Sequence, residues 1–231
     1  SDPVVRKKIR EVFDRELEMY PGSTVQSAVA VESGVKISWL DEWGKSHEST
    51  FAKVFSAAGR RPNLGGLGLE NTSMQLDSRG MPQIDHRTQQ IEDKPIFVAG
   101  DVTGYRQLLH EAADEGRTAG MNAAQFPNVR AQERRASLSI VFTDPQIAIA
   151  GSRLSELNMD ETEVGEVDYS DQGRSRVMGK NAGVVRIYAT KACGILRGAE
   201  MFGPRVENTA HLLAWSIQQR MSVQKALSMP F

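Results

Sequence analysis

The sequence has very little cysteine, since Cys193 is the single one in 231 residues. One cysteine excludes an intramolecular disulfide and leaves no second thiol for a dithiol couple. Thiol redox chemistry would therefore need residues from outside this sequence. From its position just before Gly194, we expect Cys193 to be a small buried apolar side chain rather than a nucleophile.

An excess of charge and a long apolar run are lacking as well. The 28 Lys and Arg nearly balance the 29 Asp and Glu, so the net charge gives no reason to expect a nucleic-acid or anionic-membrane partner. No apolar stretch approaches the roughly 20 residues that span a bilayer, and the first residues are charged rather than signal-like. We expect a soluble, cytoplasmic protein that binds neither nucleic acid nor membrane.

The apolar residues that are present, 40% of the chain, suffice for one large domain or two small ones. An amphipathic helix is predicted by four of them that recur at every fourth position: Val5, Ile9, Phe13 and Leu17. Alternation over 25–31 and 35–39 predicts a β-meander. A less regular run over 51–58 predicts a strand that ends at Gly59 and Pro62.

The middle of the chain predicts a ligand crevice. The continuous apolar run over 95–101 is typical of a parallel strand covered on both faces. Gly100-Asp101, a loop and an Ala- and Gly-rich helix over 108–124 follow, in the order seen at crevices of open α/β sheets. The Asp101 carboxylate could accept hydrogen bonds from ribityl or ribose hydroxyls. It could equally well cap the next turn.

From residue 137 onward the pattern predicts an α+β domain. Short strands are expected at 138–142, 147–150, 183–189 and 195–202, with a short helix near Leu154. A longer helix places four apolar residues on one face: Val206, Ala210, Leu213 and Ile217. Because this stripe is larger than a small domain needs for its core, we expect it to pair two copies of the chain.

Three stretches resemble a known family. They are Ala57-Ala58-Gly59-Arg60-Arg61-Pro62-Asn63, then Ile96-Phe97-Val98-Ala99-Gly100-Asp101-Val102 with Leu108-Leu109-His110-Glu111-Ala112-Ala113-Asp114-Glu115-Gly116, and Val141-Phe142-Thr143-Asp144-Pro145-Gln146-Ile147-Ala148. In order and spacing they are similar to the dihydrolipoamide dehydrogenases, class I pyridine nucleotide–disulphide oxidoreductases. The resemblance implies a partial FAD/NAD(P)-binding, Rossmann-like α/β region followed by an α+β dimerisation domain. Its segments would be half of an NAD-binding domain (1–63), part of an FAD-binding domain (64–126), a linker (127–136) and the interface domain (137–231).

The resemblance also implies cofactor contacts. Asp101 would bind the flavin ribityl chain, Gly59 would lie in the nicotinamide dinucleotide site, and the isoalloxazine ring would be approached by Gln107, Leu108, Leu109 and His110. The family's Cys-x4-Cys pair and phosphate-binding glycine motifs would lie before Ser1, and its catalytic His-Pro after Phe231. We therefore predict no catalytic residue within the sequence, weak FAD binding, and no dihydrolipoamide dehydrogenase activity of the 231-residue chain alone.

In the parent enzyme that the resemblance implies, dihydrolipoamide reduces a disulfide, FAD takes the electrons, and a hydride passes to NAD. Its partners would be a second copy and the lipoyl-bearing components of 2-oxoacid dehydrogenase complexes. The run from His110 to Gly116 favours this branch. A glutathione- or mercuric-type reductase, a soluble transhydrogenase, and a non-catalytic dimerisation module are the alternatives.

The other polar candidates predict no chemistry. His47 and His86 are expected at the surface and His211 in packing or an interface. No second ligand stands at a metal-binding spacing, so no metal site is predicted. Two basic groups are expected to form solvated faces: Arg130, Arg134 and Arg135, and Arg174, Arg176 and Lys180.

Overall fold

The computed structural model describes residues 1–230, and the chain divides into two compact units. The composite unit joins Ser1–Ser56 to Ala136–Phe231, and the central unit is Ala57–Arg135. The regular elements are, in chain order, α1 (Pro3–Phe13), β1 (Thr24–Val31), β2 (Gly34–Leu40), β3 (Ser46–Phe51), β4 (Ile84–Asp85), β5 (Gln90–Ile91), α2 (Leu109–Gln125), β6 (Leu138–Val141), β7 (Gln146–Gly151), β8 (Thr162–Asp168), α3 (Gly173–Val177), β9 (Val184–Thr190), β10 (Leu196–Gly203), α4 (Val206–Gln218) and α5 (Val223–Leu227). The four cofactor and interface segments expected from the sequence stay predictions.

A five-stranded antiparallel sheet forms the centre of the composite unit, with strand order β6-β7-β10-β9-β8. Successive side chains of a strand point to opposite faces of the sheet. Along β10, Ala199 and Met201 therefore pack in one core with α4. Phe202 packs in a second core with Val5 of α1. The sheet is thus covered by a helix on each face.

The apolar stripe of α4 belongs to the core of its own unit. Val206 and Ala210 are fully buried, and Leu213 packs against the same cluster. Ile217 lies over Gly151, where its Cδ1 would be 2.9 Å from an added Cβ. The prediction that this stripe pairs two copies was wrong, because the stripe packs in one core with buried side chains of β7 and β10, among them Ala148 and Ala199.

The N-terminal helix begins as predicted but ends one turn earlier. The Asp2 carboxylate accepts a hydrogen bond from the Val4 amide at 2.8 Å, and Pro3 occupies the first helical position. The ring of Phe13 packs edge-on against Phe202, with centroids 5.4 Å apart. Leu17 lies beyond the helix and is exposed. The assignment of Leu17 to the buried stripe was wrong, since α1 ends at Phe13.

The predicted β-meander is confirmed as β1-β2-β3. The predicted strand over 51–58 is wrong, because everything after Phe51 in that range lacks regular structure and is exposed. In the C-terminal region the predicted strands appear as β6, β7, β9 and β10, and the helix near Leu154 is a single 3₁₀ turn. The edge strand β8 was missed because its apolar residues do not alternate.

The central unit contains α2, as predicted, and the two-stranded pair β4–β5. The run over 95–101 forms no strand, and a single bridge joins Phe97 to Gln90. A parallel strand needs parallel neighbours to pair with, and among the described residues this run lies beside only the two-residue strand β5, which is antiparallel to it. None of the described helices combines the length and the apolar character that crossing a membrane requires.

Candidate functional site

Two of the stretches that carry the family resemblance share a cleft of the central unit. The cleft has a volume of about 390 Å³ and is lined by Arg60, Arg61, Pro62, Asn63, Asp101, Val102 and Gln107. Across it, Arg60 Nη1 donates a hydrogen bond to Asp101 Oδ2 at 2.8 Å. The structure therefore brings the Gly-Arg-x-Pro loop and the Gly-Asp loop together.

The backbone before Asp101 has a conformation that only glycine adopts readily. Gly100 has φ 85° and ψ −163°. Asp101 then opens a short 3₁₀ turn that extends to Thr103, and no side chain caps that turn. The alternative that Asp101 serves as the cap is therefore wrong. Its carboxylate lines the cleft instead.

Of the residues expected at the flavin ring, Gln107 is the one that lies in this cleft. Its Nε2 donates to the Asp101 carbonyl at 3.2 Å. Leu108 is the N-cap residue of α2 and has an extended backbone. Leu109, with 89% of its surface exposed, and His110 begin the helix on the surface. Gly59 has φ 90°, with no atom within 4 Å of where a Cβ would lie.

The donors and acceptors of the cleft fit a hydroxylated chain such as the ribityl group. The Asp101 side chain is partly exposed, and among the described residues only its Oδ2 has a partner. Oδ1 thus keeps lone pairs for hydroxyl donors, while Arg60 offers further donors. The cleft fits a whole dinucleotide less well, because residues 1–230 contain no Gly-x-Gly-x-x-Gly turn that joins a strand to a helix.

A buried ionic network lies on the neighbouring side of α2. Arg134 Nη2 donates to Glu111 Oε2 at 2.5 Å and to Glu115 Oε1 at 3.0 Å, and Arg106 Nη1 donates to Glu111 Oε1 at 2.9 Å. Burial raises the pKa of Glu111, but hydrogen bonds from the two guanidinium groups outweigh it and leave that pKa lowered. The prediction that Arg134 belongs to a solvated face was wrong. The sequence did contain a signal for this network: Glu111 and Glu115 are four residues apart on one predicted helix and therefore lie on the same face.

Two histidines expected at the surface are partly buried. His86 stacks on Tyr105 with ring centroids 4.3 Å apart, and burial lowers its pKa. His47 lies on β3, stacks against Trp39 and pairs with the Asp41 carboxylate at 2.9 Å. In both cases a neighbouring aromatic ring covers the imidazole, which polar sequence context does not reveal.

His211 and Cys193 are both exposed. The prediction that Cys193 is buried was wrong, because it lies in the turn between β9 and β10. A hydrogen bond with the Thr190 hydroxyl at 3.2 Å lowers the pKa of its thiol. Within the described part of the chain, no three His, Cys, Asp or Glu side chains are grouped to hold a metal ion.

Comparison with solved structures shows the fold. LpdA from Mycobacterium tuberculosis matches the whole chain with a TM-score of 0.80 and 24% identity, over 50% of its own length. The HOCl-induced flavoprotein disulfide reductase RclA from Escherichia coli matches it with a TM-score of 0.81 and 18% identity, over 52% of its length. The class is therefore the mixed α/β and α+β fold of the flavoprotein disulfide reductases, as predicted.

Sequence comparison shows the family. Residues 1–116 match the model of the pyridine nucleotide-disulphide oxidoreductases, and residues 137–231 match the dimerisation domain of the same group. The chain belongs to the pyridine nucleotide–disulphide oxidoreductase family, which confirms the resemblance.

Curated relatives include the dihydrolipoyl dehydrogenase of Haloferax volcanii, 28% identical over 97% of this chain and 47% of the relative. Dihydrolipoyl dehydrogenase 3 of Pseudomonas aeruginosa is 30% identical over 80% of this chain and 39% of the relative. The chain thus spans about half or less of the length of the curated relatives that it matches.

Proposed function

We propose that the protein to which this chain belongs is an FAD-dependent dihydrolipoyl dehydrogenase that passes electrons from dihydrolipoamide through a disulfide and FAD to NAD. The supporting observation is the cleft in which Arg60 meets Asp101, in a chain whose relatives carry that name. A flavin, when bound, supplies the two-electron chemistry, and the protein supplies binding and orientation. The lipoyl-bearing components of 2-oxoacid dehydrogenase complexes are the proposed partners.

The proposed roles follow from the positions of the side chains. Asp101 would accept hydrogen bonds from ribityl hydroxyls, and Gln107 would approach the isoalloxazine ring from the side of α2. The backbone N–H groups of Leu109 and His110 would offer donors and the positive end of the helix dipole to the ring edge. Leu108 would lie beside the ring as the N-cap residue, with its own N–H donating to the Arg106 carbonyl at 3.0 Å. Gly59 would let the backbone approach the nicotinamide dinucleotide. The exposed pair of Arg60 and Asp101 costs at most about 1 kcal/mol to open.

The reaction is tested with the complete protein. We expect NADH formation from dihydrolipoamide and NAD. The alternatives predict instead the oxidation of a reduced nicotinamide with glutathione disulfide, Hg(II) or the other nicotinamide nucleotide as acceptor. Turnover with one of these acceptors and none with dihydrolipoamide would assign the protein to another branch of its family. No turnover with any of them would favour a non-catalytic dimerisation module.

The flavin contact is tested on the 231-residue chain by fluorescence anisotropy of riboflavin. We expect weak binding of riboflavin and FAD with similar affinity, and none of AMP, because the proposed contacts are to the ribityl chain and ring. Asp101→Ala should weaken riboflavin binding about tenfold or more, the loss expected when hydrogen bonds to a charged group are removed. Asp93→Ala, which removes an exposed carboxylate of the same unit, is the control. Equal affinities of the two variants would contradict the role of Asp101.

We also propose that two copies of the chain pair through α4. The match to a dimerisation domain supports pairing. Because the stripe of α4 fills its own core, the contact must lie elsewhere. On the opposite side of the helix, Leu212 is 68% and Trp215 is 74% exposed. Adjacent exposed side chains of this size are typical of association sites.

Light scattering tests this contact. The wild-type chain should have about twice its 25.5 kDa mass at micromolar concentration. Leu212→Glu should give the monomer mass, because a carboxylate would be buried without a partner. Val177→Glu makes the same kind of change at another exposed position and should leave the dimer intact. A dimer that persists in Leu212→Glu would place the contact on another surface.

A further inference from the structure

We infer that Glu115 is a positioning residue for the loop that carries Asp101, and that Arg134 holds Glu115 in the required orientation. This rests on the proposed function, because it concerns how the flavin-binding loop keeps its conformation. Neither residue lines the cleft described above. Their contact with the cofactor would be indirect, through the backbone around Asp101.

Glu115 contacts the loop on both sides of Asp101. Its Oε2 accepts a hydrogen bond from the Gly100 amide at 2.9 Å and another from the Thr103 hydroxyl at 3.4 Å. Only 2% of Glu115 is exposed, so water does not replace these bonds. Among the described residues no backbone carbonyl accepts a hydrogen bond from the Gly100 amide, which would lack a partner without Glu115. One carboxylate oxygen therefore fixes the turn that directs Asp101 into the cleft.

Arg134 satisfies the other oxygen of the same carboxylate. Its Nη2 donates a hydrogen bond to Glu115 Oε1, and its guanidinium carbon lies 4.9 Å from the centroid of the Tyr105 ring. The hydrogen bonds that Arg134 donates to the two glutamates raise its pKa although burial opposes this, so the group stays charged. The loop is thus held from α2 by Glu115 and from the segment after α2 by Arg134.

An ordinary buried ion pair would stabilise the central unit without affecting Asp101. If Glu115 positions the loop that carries Asp101, a more specific result is expected. A variant that stays folded but no longer accepts the hydrogen bond from Gly100 should lose flavin affinity. Glu115→Gln is such a variant. Its amide has one oxygen, which can face either Gly100 or Arg134, and its NH₂ group then meets a second donor.

A second substitution provides a rescue. In the double variant Glu115→Gln with Arg134→Met, the donor opposite the glutamine NH₂ group is gone, so the glutamine oxygen can turn to Gly100. Glu111 keeps its partner Arg106 in this variant. We expect the double variant to bind riboflavin more tightly than Glu115→Gln alone, a non-additivity that a merely structural pair would not give. Asp114→Asn is the control. It removes the charge of another α2 carboxylate, which pairs with Arg135 instead of Arg134.

Two measurements on the 231-residue chain, made below the unfolding temperature, decide the proposal. Glu115→Gln should accelerate hydrogen exchange of the Gly100 amide and weaken riboflavin binding, each about tenfold. Arg134→Met in that background should recover most of both, and Asp114→Asn should change neither. A folded Glu115→Gln chain with wild-type exchange at Gly100 and wild-type riboflavin affinity would overturn the proposal.

The proposed flavin site can fail separately. If the wild-type chain binds no riboflavin, the assignment of Asp101 to the flavin loses its support. Exchange at Gly100 then still decides the role of Glu115. Unchanged exchange in Glu115→Gln overturns that role, and faster exchange with rescue by Arg134→Met supports it.

Discussion

Replacing Asp2 by alanine should lower the free energy of unfolding of the composite unit by about 3–4 kcal/mol. The side chain is fully buried, and its Oδ2 accepts hydrogen bonds from Arg186 Nε and from the Tyr188 hydroxyl, both at 2.9 Å. Burial raises the pKa of Asp2, but these bonds and the Val4 amide outweigh it, so the carboxylate is ionised. Alanine would leave two buried donors without partners and remove the helix cap.

The measurement is guanidinium unfolding followed by tryptophan fluorescence. All three tryptophans, Trp39, Trp43 and Trp215, belong to the composite unit, so the signal reports that unit alone. Asp14→Ala is the control at the other end of the same helix, since Asp14 is the C-cap residue of α1 and its carboxylate forms a surface pair with Arg10 at 3.5 Å. It should cost at most about 1 kcal/mol. Equal losses for the two variants would mean that the buried hydrogen bonds contribute little.

Replacing Gly198 by alanine should cost about 3 kcal/mol or more in the same unit. A Cβ at this position of β10 would lie 1.9 Å from the carbonyl oxygen of Ser152 and 2.8 Å from its carbonyl carbon. These are backbone atoms beside paired strands, so relief requires a shift of the sheet rather than of a flexible side chain. The cost comes from steric clash and not from backbone strain, since Gly198 does not have a positive φ.

Gly165→Ala is the matched control in the same sheet. It lies on the edge strand β8, where an added Cβ would meet no atom within 4 Å. We expect a change within about 0.5 kcal/mol, as for ordinary surface substitutions. The same fluorescence measurement compares the two alanines. A Gly198→Ala chain as stable as Gly165→Ala would show that β7 and β10 separate at little cost.

Local patterns predicted most of the elements. The four-residue spacing from Val206 to Ile217 predicted α4, and alternating apolar residues predicted β1 and β2. Spacing does not show which partner a face has, however. The same stripe of α4 was assigned to a second copy, although Ala148 and Ala199 of its own sheet contact it. Leu212 and Trp215 could be recognised as exposed only once the structure showed which face of α4 packs on the sheet.

The candidate site was predictable where it lies in contiguous motifs. Gly100-Asp101 and the Gly-Arg-x-Pro loop were found from the sequence, and the structure places them in one cleft. Contacts between distant residues were not predictable. Arg134 stands 19 residues from Glu115 in a charged stretch that is typical of a linker. Its burial follows from the return of the chain past α2, which no local pattern encodes.

The hydrogen bond from the Asp2 amide to Glu200 spans 198 residues of sequence. Contacts between residues so far apart in the sequence raise the contact order, and a high contact order slows folding. At about 5–20 residues per second, the ribosome releases Asp2 on the order of 10–40 s before Glu200. During that interval the helix that begins at Pro3 lacks the five-stranded sheet that it will cover, whereas the synthesis of the central unit is completed before Glu200 is reached. The order of synthesis therefore lets the central unit form first and makes the first helix one of the last elements to dock.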